Sequence, residues 1–178
     1  MMDVLVIGGG AAGCIAAGAA ARAGHRVTVI ERNNRPARKV MITGKGRCNV
    51  TNACSVDEFI PQVCSNGRFL YSALTAFPPS AMMDLLEEQG VPLKVERGRR
   101  VFPCSDKAVD IVDALVGYAK VGGAVFRQGR AVELLLSDGV CRGVLLESGE
   151  TVAADRVIVA TGGMSYPATG STGDGYAI

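Results

Sequence analysis

Residues 4–31 constrain this chain more than any other stretch. Val4-Leu5-Val6-Ile7 is a short unbroken apolar run, the pattern of a parallel strand buried on both faces. Three glycines follow, and then a helical stretch over about 11–23 that carries eight alanines. Alanine favours the helix and lets it sit close to a sheet. Gly24 stands where a helix commonly stops, and Val27–Ile30 reads as a second strand that ends in Glu31. Strand, glycine turn, helix, strand and terminal acid form the order of a βαβ unit that grips a dinucleotide. The fold class is therefore α/β, Rossmann-like, with a parallel sheet.

Each residue of Gly8-x-Gly10-x-x-Gly13 has a separate task. Gly8 permits the tight turn, Gly10 lets backbone amides reach a pyrophosphate, and Gly13 lets helix and strand pack closely. Ala11 and Ala12 open the helix, whose N-terminus adds partial positive charge beside phosphate. Glu31 lies 18 residues beyond Gly13, where a carboxylate can accept both ribose hydroxyls. It would repel a 2′-phosphate, which disfavours NADP at this position.

Beyond Glu31 the pattern is less regular. Residues 33–52 are rich in Gly, Asn, Arg and Lys and read as a loop with one helical turn. A helix is expected near 68–76, and another from Ser80 as N-cap to Gly90. Residues 91–103 look extended. Ser105 is placed to cap a further helix, with Val109, Val112, Leu115, Val116 and Ala119 at helical spacing. The period then changes to that of strands. Ala124–Arg127 reads as one strand, and Ala131–Leu136 with Cys141–Glu147 reads as a hairpin about Asp138-Gly139. A short strand near 151–153 completes a three-stranded antiparallel meander. Arg156–Ala160 is again a buried run and ends in Thr161-Gly162-Gly163.

Composition narrows the function classes. With 178 residues the chain supports one core of ordinary size, read as a single dinucleotide-binding domain over 1–178. A net charge of +2 gives no argument for nucleic acid as partner. Nothing approaches the roughly 20 apolar residues needed to span a membrane, and the N-terminus lacks the basic lead of a secretion signal. The six cysteines make no C-x-x-C pair and no zinc spacing. They suit reduced thiols of a cytoplasmic protein, and no metal site is expected. Arg22, Arg26, Arg32, Arg35, Arg38, Lys39, Lys45 and Arg47 face only Glu31 over their stretch. That bias reads equally as a solvated rim or as attraction for cofactor phosphates.

Three segments together resemble a known family. They are Gly8–Gly13; Arg38-Lys39-Val-Met-Ile-Thr-Gly44-Lys-Gly46-Arg47-Cys48-Asn49-Val-Thr51-Asn52; and Ala160-Thr-Gly-Gly-Met-Ser165-Tyr166-Pro167 running on to Thr172-Gly173-Asp174-Gly175. They are similar to the BaiN/RdsA-type FAD-dependent oxidoreductases, also known as aminoacetone-oxidase-like flavoproteins. The resemblance covers essentially the whole chain, including Glu96-Arg-Gly-Arg-Arg-Val-Phe-Pro103. It implies FAD bound in an extended form, NAD(P)H as electron donor, and an unsaturated or carbonyl small molecule as acceptor. Gly8, Gly10 and Gly13 would hold the pyrophosphate, with Ala11 and Ala12 beside them, and Glu31 with Arg32 the adenosine side. Arg38, Lys39, Gly44, Arg47, Cys48 and Asn49 would line the phosphates and flavin. Val132 would meet adenine through its backbone, Ala160, Thr161, Gly162 and Gly163 would flank the ribityl side, and Asp174 would accept hydrogen bonds.

Two positions depart from the family pattern: Ala37 and Lys45 stand where Gly is common. Family members are also about twice as long, so the chain is expected to be an N-terminal portion that precedes a substrate domain. Two rival functions stay open. One is a nucleotide-binding module without catalysis. The other is a thiol–disulfide flavoprotein using Cys48 and Cys54, which have five residues between them where disulfide reductases have four. The catalytic residues and the oligomeric state are left unassigned, and Tyr166 is the one side chain considered as an assistant at the flavin.

Overall fold

Strand β1 (Asp3–Ile7) lies inside the parallel sheet because Val4–Ile7 is apolar on both faces. In the computed structural model, which describes residues 1–167 and 169–178, β1 pairs in parallel with strands on either side. After helix α1 (Ala11–Arg22) comes β2 (Arg26–Glu31), and then a short helix α2 (Arg38–Ile42). The middle of the chain holds β3 (Thr51–Asn52), α3 (Val56–Phe59), α4 (Tyr71–Ala76) and α5 (Pro79–Glu88). A hairpin of β4 (Leu93–Glu96) and β5 (Arg100–Pro103) and helix α6 (Ala108–Val121) follow. The last third holds β6 (Val125–Gln128), β7 (Ala131–Ser137), β8 (Val140–Leu146), β9 (Thr151–Ala153) and β10 (Arg156–Val159).

The chain divides into two compact units, Met1–Met41 with Leu115–Ile178, and Ile42–Ala114. In the first, four parallel strands stand in the order β10-β1-β2-β6. Alternation along β1 decides what covers each face. Val4 and Val6 join Val27, Val29 and the α1 residues Ala17 and Ala21 in one buried cluster, with Ala119 and Ala124. Leu5 and Ile7 join Ile30, Ala131, Val144 and Leu146 in another. So α1 covers one face and the antiparallel meander β7-β8-β9 covers the other. Burying a Val, Leu or Ile side chain contributes about 1.5–3 kcal/mol, and these alternating residues supply most of the unit's core.

The second unit is built on the three-stranded antiparallel sheet β3-β5-β4. Its hairpin turns at Arg97–Arg99, where Gly98 and Arg99 take positive φ. A capping box starts α3: Ser55 accepts from the Glu58 N–H, and the Glu58 carboxylate accepts from the Ser55 N–H.

The parallel sheet, the meander and the main helices match the sequence reading. The helix expected from Ser80 instead starts at Pro79 with Pro78 at its N-cap, because proline's fixed φ suits the first helical position. The helix expected after Ser105 begins at Ala108. Ser105 accepts from the Lys107 N–H at 3.3 Å and its hydroxyl donates to Asp110, so it braces the approach to the helix rather than capping it. The strand read over Ala124–Arg127 runs one residue later, Val125–Gln128. The 33–52 loop also contains a short strand and two helical turns rather than one.

Candidate functional site

The glycine turn between β1 and α1 is fixed from several directions. Gly8 takes a φ of +100°, and a Cβ there would lie 2.5 Å from the Ala160 carbonyl oxygen. Its N–H donates to the Ile30 carbonyl at 2.8 Å. A Cβ on Gly13 would lie 1.9 Å from the Gly8 carbonyl oxygen, so only glycine lets the helix come this near the strand. Gly10 differs from both. No atom stands within 4 Å of where its Cβ would be, so that space is open in the folded protein.

Gly9 is a residue the sequence reading left without a role. Its N–H donates to Glu31 Oε2 at 2.7 Å. Its carbonyl accepts from the Ala37 N–H at 2.8 Å and from the Cys14 thiol at 3.5 Å. A Cβ on Gly9 would stand 3.2 Å from the Glu31 carboxylate. The run of three glycines followed by a distant acid was the available signal. With the Gly9 peptide held on both sides, the turn is preorganised before any ligand arrives.

Helix α1 then opens with Gly10 as N-cap, no side-chain cap and no acid in its first turn. Its first amides, at Ala11, Ala12 and Gly13, have no intrahelical acceptor by helix geometry. Ala11 and Ala12 are exposed and Gly13 is buried. Uncapped amides and the positive end of the helix dipole suit an anion such as a diphosphate.

Glu31 is buried at 9% exposure. Besides Gly9, it accepts from the Asn33 N–H at 2.8 Å and from Asn33 Nδ2 at 2.7 Å, both at Oε1. Each carboxylate oxygen has further lone-pair capacity, so the group can still take hydroxyl donors. Arg38 is exposed and reaches Asn33 Oδ1 at 3.4 Å. Cys14 lies beneath the turn, where burial, with the Glu31 charge, pushes its thiol pKa up to about 12.

On the far side of the turn, the Ala160 N–H donates to the Ile7 carbonyl at 2.8 Å. Thr161, Gly162 and Gly163 continue from there, with Gly162 at a φ of +80°. Val132 falls at a register shift between Ala131 and Glu133 and so has no cross-strand partner. A backbone left out of the ladder is one that can pair with a ligand.

Arg32 donates to Thr172 Oγ1 and Asp174 Oδ2, each at 2.7 Å, and to the Gly170 carbonyl at 2.6 Å. Lys39 Nζ donates to Ser171 Oγ at 2.8 Å and to the Ser165 carbonyl at 3.3 Å. Thr172 Oγ1 also donates to Asp174 Oδ1 at 2.8 Å. Burial pushes the Asp174 carboxyl up. The Thr172 hydroxyl and the Arg32 and Arg130 guanidiniums outweigh it and hold the group below the usual range. Arg32, Asn33, Arg130, Glu147, Thr172 and Asp174 line an open polar cleft of about 570 Å³. Asn33, Arg130 and Glu147 carried no sequence signal, since they meet only through tertiary folding.

The remaining candidates belong to the second unit. Gly44, Lys45 and Gly46 all take positive φ, and Cys48 does too. Arg47 donates to Glu96 Oε1 at 2.5 Å and to Asp106 Oδ1 at 2.6 Å, with its guanidinium 4.2 Å over the Phe102 ring. Cys48 is buried, which raises its thiol pKa, while a Thr43 hydrogen bond acts the other way. Asn49 is exposed. All six cysteines, Cys48 and Cys54 included, are free thiols. Among the described residues no cluster could hold a metal ion, and no helix is long and apolar enough to cross a membrane.

Residues 2–178 match the HI0933-like protein Rossmann domain. The chain belongs to that family. This is the BaiN/RdsA family that its motifs resemble. The chain is 35% identical over 178 residues to the ribosomal RNA dihydrouridine synthase of Escherichia coli K12. It is 32% identical over 184 residues to the 3-dehydro-bile acid delta(4,6)-reductase of Clostridium scindens. These alignments cover 99% and 100% of the chain but 43% of each relative's length. Among solved structures, the 3-ketosteroid-delta4-(5alpha)-dehydrogenase of Rhodococcus jostii RHA1 superposes with a TM-score of 0.70 at 21% identity. That superposition covers 93% of this chain and 46% of the dehydrogenase, and it shows a shared fold alone.

Proposed function

We propose that this chain is the FAD-binding portion of a flavin-dependent oxidoreductase. The observation that carries it is the preorganised turn: Gly8 and Gly13 force close approach, Gly10 leaves open space, and Glu31 stands beside the turn. A diphosphate fits the uncapped amides of α1, and the Glu31 carboxylate fits an unphosphorylated ribose. Bound FAD would supply hydride-transfer chemistry, while the protein supplies binding, orientation and electrostatics. Ala160 and Thr161 would border the chain that joins the diphosphate to the flavin. Val132 would offer its unpaired backbone to adenine.

The relatives point to a substrate class. A dihydrouridine synthase and a 3-dehydro-bile acid delta(4,6)-reductase both take names from adding hydrogen across a carbon–carbon double bond near a carbonyl. We infer the same class for the whole protein, with NAD(P)H as donor. One of these relatives is named for ribosomal RNA, so a base within RNA joins small molecules as a candidate substrate. The weak net charge does not decide between them.

The test is direct. The purified chain, loaded with FAD and desalted, is predicted to keep a flavin band near 450 nm and to melt higher with FAD than with NADP, by binding linkage. A colourless chain stabilised by NAD instead would favour a nucleotide-binding module without flavin chemistry.

A further inference from the structure

Among the described residues, the segment Ser165–Tyr176 contains no strand. It contains two short helical turns, Pro167–Thr169 and Asp174–Tyr176; Gly175 packs against Thr161 and Val159, and basic side chains far away in sequence bond to it. Arg32 makes three of these bonds, to Gly170, Thr172 and Asp174, and Lys39 makes two more. The Arg32–Asp174 pair is well sheltered, with side-chain exposures of 28% and 16%. Such charge-assisted bonds are about twice as strong as neutral ones.

Thr172 and Asp174 also supply two of the six residues around the polar cleft. The cleft therefore has its full wall only while this segment is docked. Arg32 is covalently next to Glu31, whose carboxylate locks the glycine turn. A bond on Arg32 and a bond on Glu31 are thus made from the same short stretch at the end of β2.

We propose that Arg32 is a positioning residue. It latches residues 170–174 onto the end of β2 and so builds one side of the open polar cleft that would border the adenosine end of the dinucleotide. On this account its positive charge acts through Asp174 and Thr172 rather than on a phosphate. The ligand part of the proposal rests on the FAD reading above; the latch itself does not.

Amide hydrogen exchange on the full chain tests both parts. The amides of Thr169, Gly170, Tyr176 and Ala177 donate to carbonyls within the segment, so their protection reports its docking. In ligand-free Arg32→Met protein these amides are predicted to exchange about tenfold faster or more, with β1 and β2 amides unchanged. Arg32→Lys, which keeps the charge but loses the fork, should fall between the two. Added salt should speed exchange more in the native protein than in Arg32→Met, because the variant keeps only the longer Arg130–Asp174 pair, at 3.6 Å, to be screened. FAD should slow exchange in the native protein, and its affinity should fall by a similar factor in Arg32→Met.

Unchanged segment exchange in both Arg32 variants would overturn the latch. Faster exchange in Arg32→Met with no effect of FAD on the native protein would sustain the latch and overturn the dinucleotide reading.

Discussion

Gly10 and Gly13 belong to one motif but should respond oppositely to the same added methyl group. At Gly13 a Cβ would lie 1.9 Å from the Gly8 carbonyl oxygen. Real contacts of this kind stay above roughly 3 Å, so α1 would have to retreat by about 1 Å or more, and overpacking of this order costs about 1–3 kcal/mol. At Gly10 the Cβ meets nothing, and its backbone, φ −73° and ψ −173°, is open to alanine. Alanine is a poorer N-cap than glycine by several tenths of a kcal/mol. It also restricts the unfolded chain by about 0.4–1 kcal/mol, so the two effects nearly cancel. Urea unfolding is therefore predicted to show a lower midpoint with unchanged slope for Gly13→Ala. Gly10→Ala should unfold within about 0.5 kcal/mol of the native protein. FAD titration should show the reverse emphasis: Gly10→Ala binds about tenfold or more weakly, since its methyl occupies space meant for ligand. A Gly13→Ala protein as stable as the native one would refute the close-approach argument. Native-like FAD affinity in Gly10→Ala would refute the assignment of that space.

Other outcomes follow from single sites. Lys45 is exposed and takes a φ of +59°, so Lys45→Gly should stabilise by about 0.5–1 kcal/mol, measured by urea midpoint, as relief of left-handed strain exceeds the added chain entropy. Iodoacetamide at pH 8 should label exposed Cys64 and Cys104 first and Cys14 last, because Cys14 is buried with its pKa pushed up to about 12; peptide mapping reads the order. Arg99, together with the Ser55 cap, holds the Glu58 carboxyl down at about 2. Because the folded pKa is depressed, the cap's contribution is whole above pH 4.5 and is lost as pH falls through about 2. A carboxyl titration by NMR should find that low midpoint and see it rise in Arg99→Ala.

Much of the nucleotide-binding unit was legible because its signals are local. Val4–Ile7, the glycine turn and Gly24 each mark an element by pattern, and Asp138-Gly139 marks the hairpin that the structure forms between β7 and β8. The departures at Ala37 and Lys45 were legible too, and both positions prove to need positive φ. Helix starts were less so: Ser80 is a good cap by type, yet Pro79 sets the first turn. The least legible features join distant residues. Arg32 reads as one more basic residue in a basic stretch, and nothing local ties it to Asp174, 142 residues away. Arg47 likewise meets Glu96 and Asp106 only once the β4–β5 hairpin has formed. Side chains that bond across such separations carry no periodic signal.

The central claim is that the turn of Gly8, Gly10 and Gly13 with Glu31 holds the adenosine diphosphate half of FAD. Calorimetric titration of the chain with FAD and, separately, with FMN tests it most directly, since FMN keeps the flavin and one phosphate but lacks the adenylate. The account predicts that FAD binds and that FMN binds at least about a hundredfold more weakly, about 2.7 kcal/mol. Equal affinity for FMN and FAD, or no binding of FAD, would contradict it.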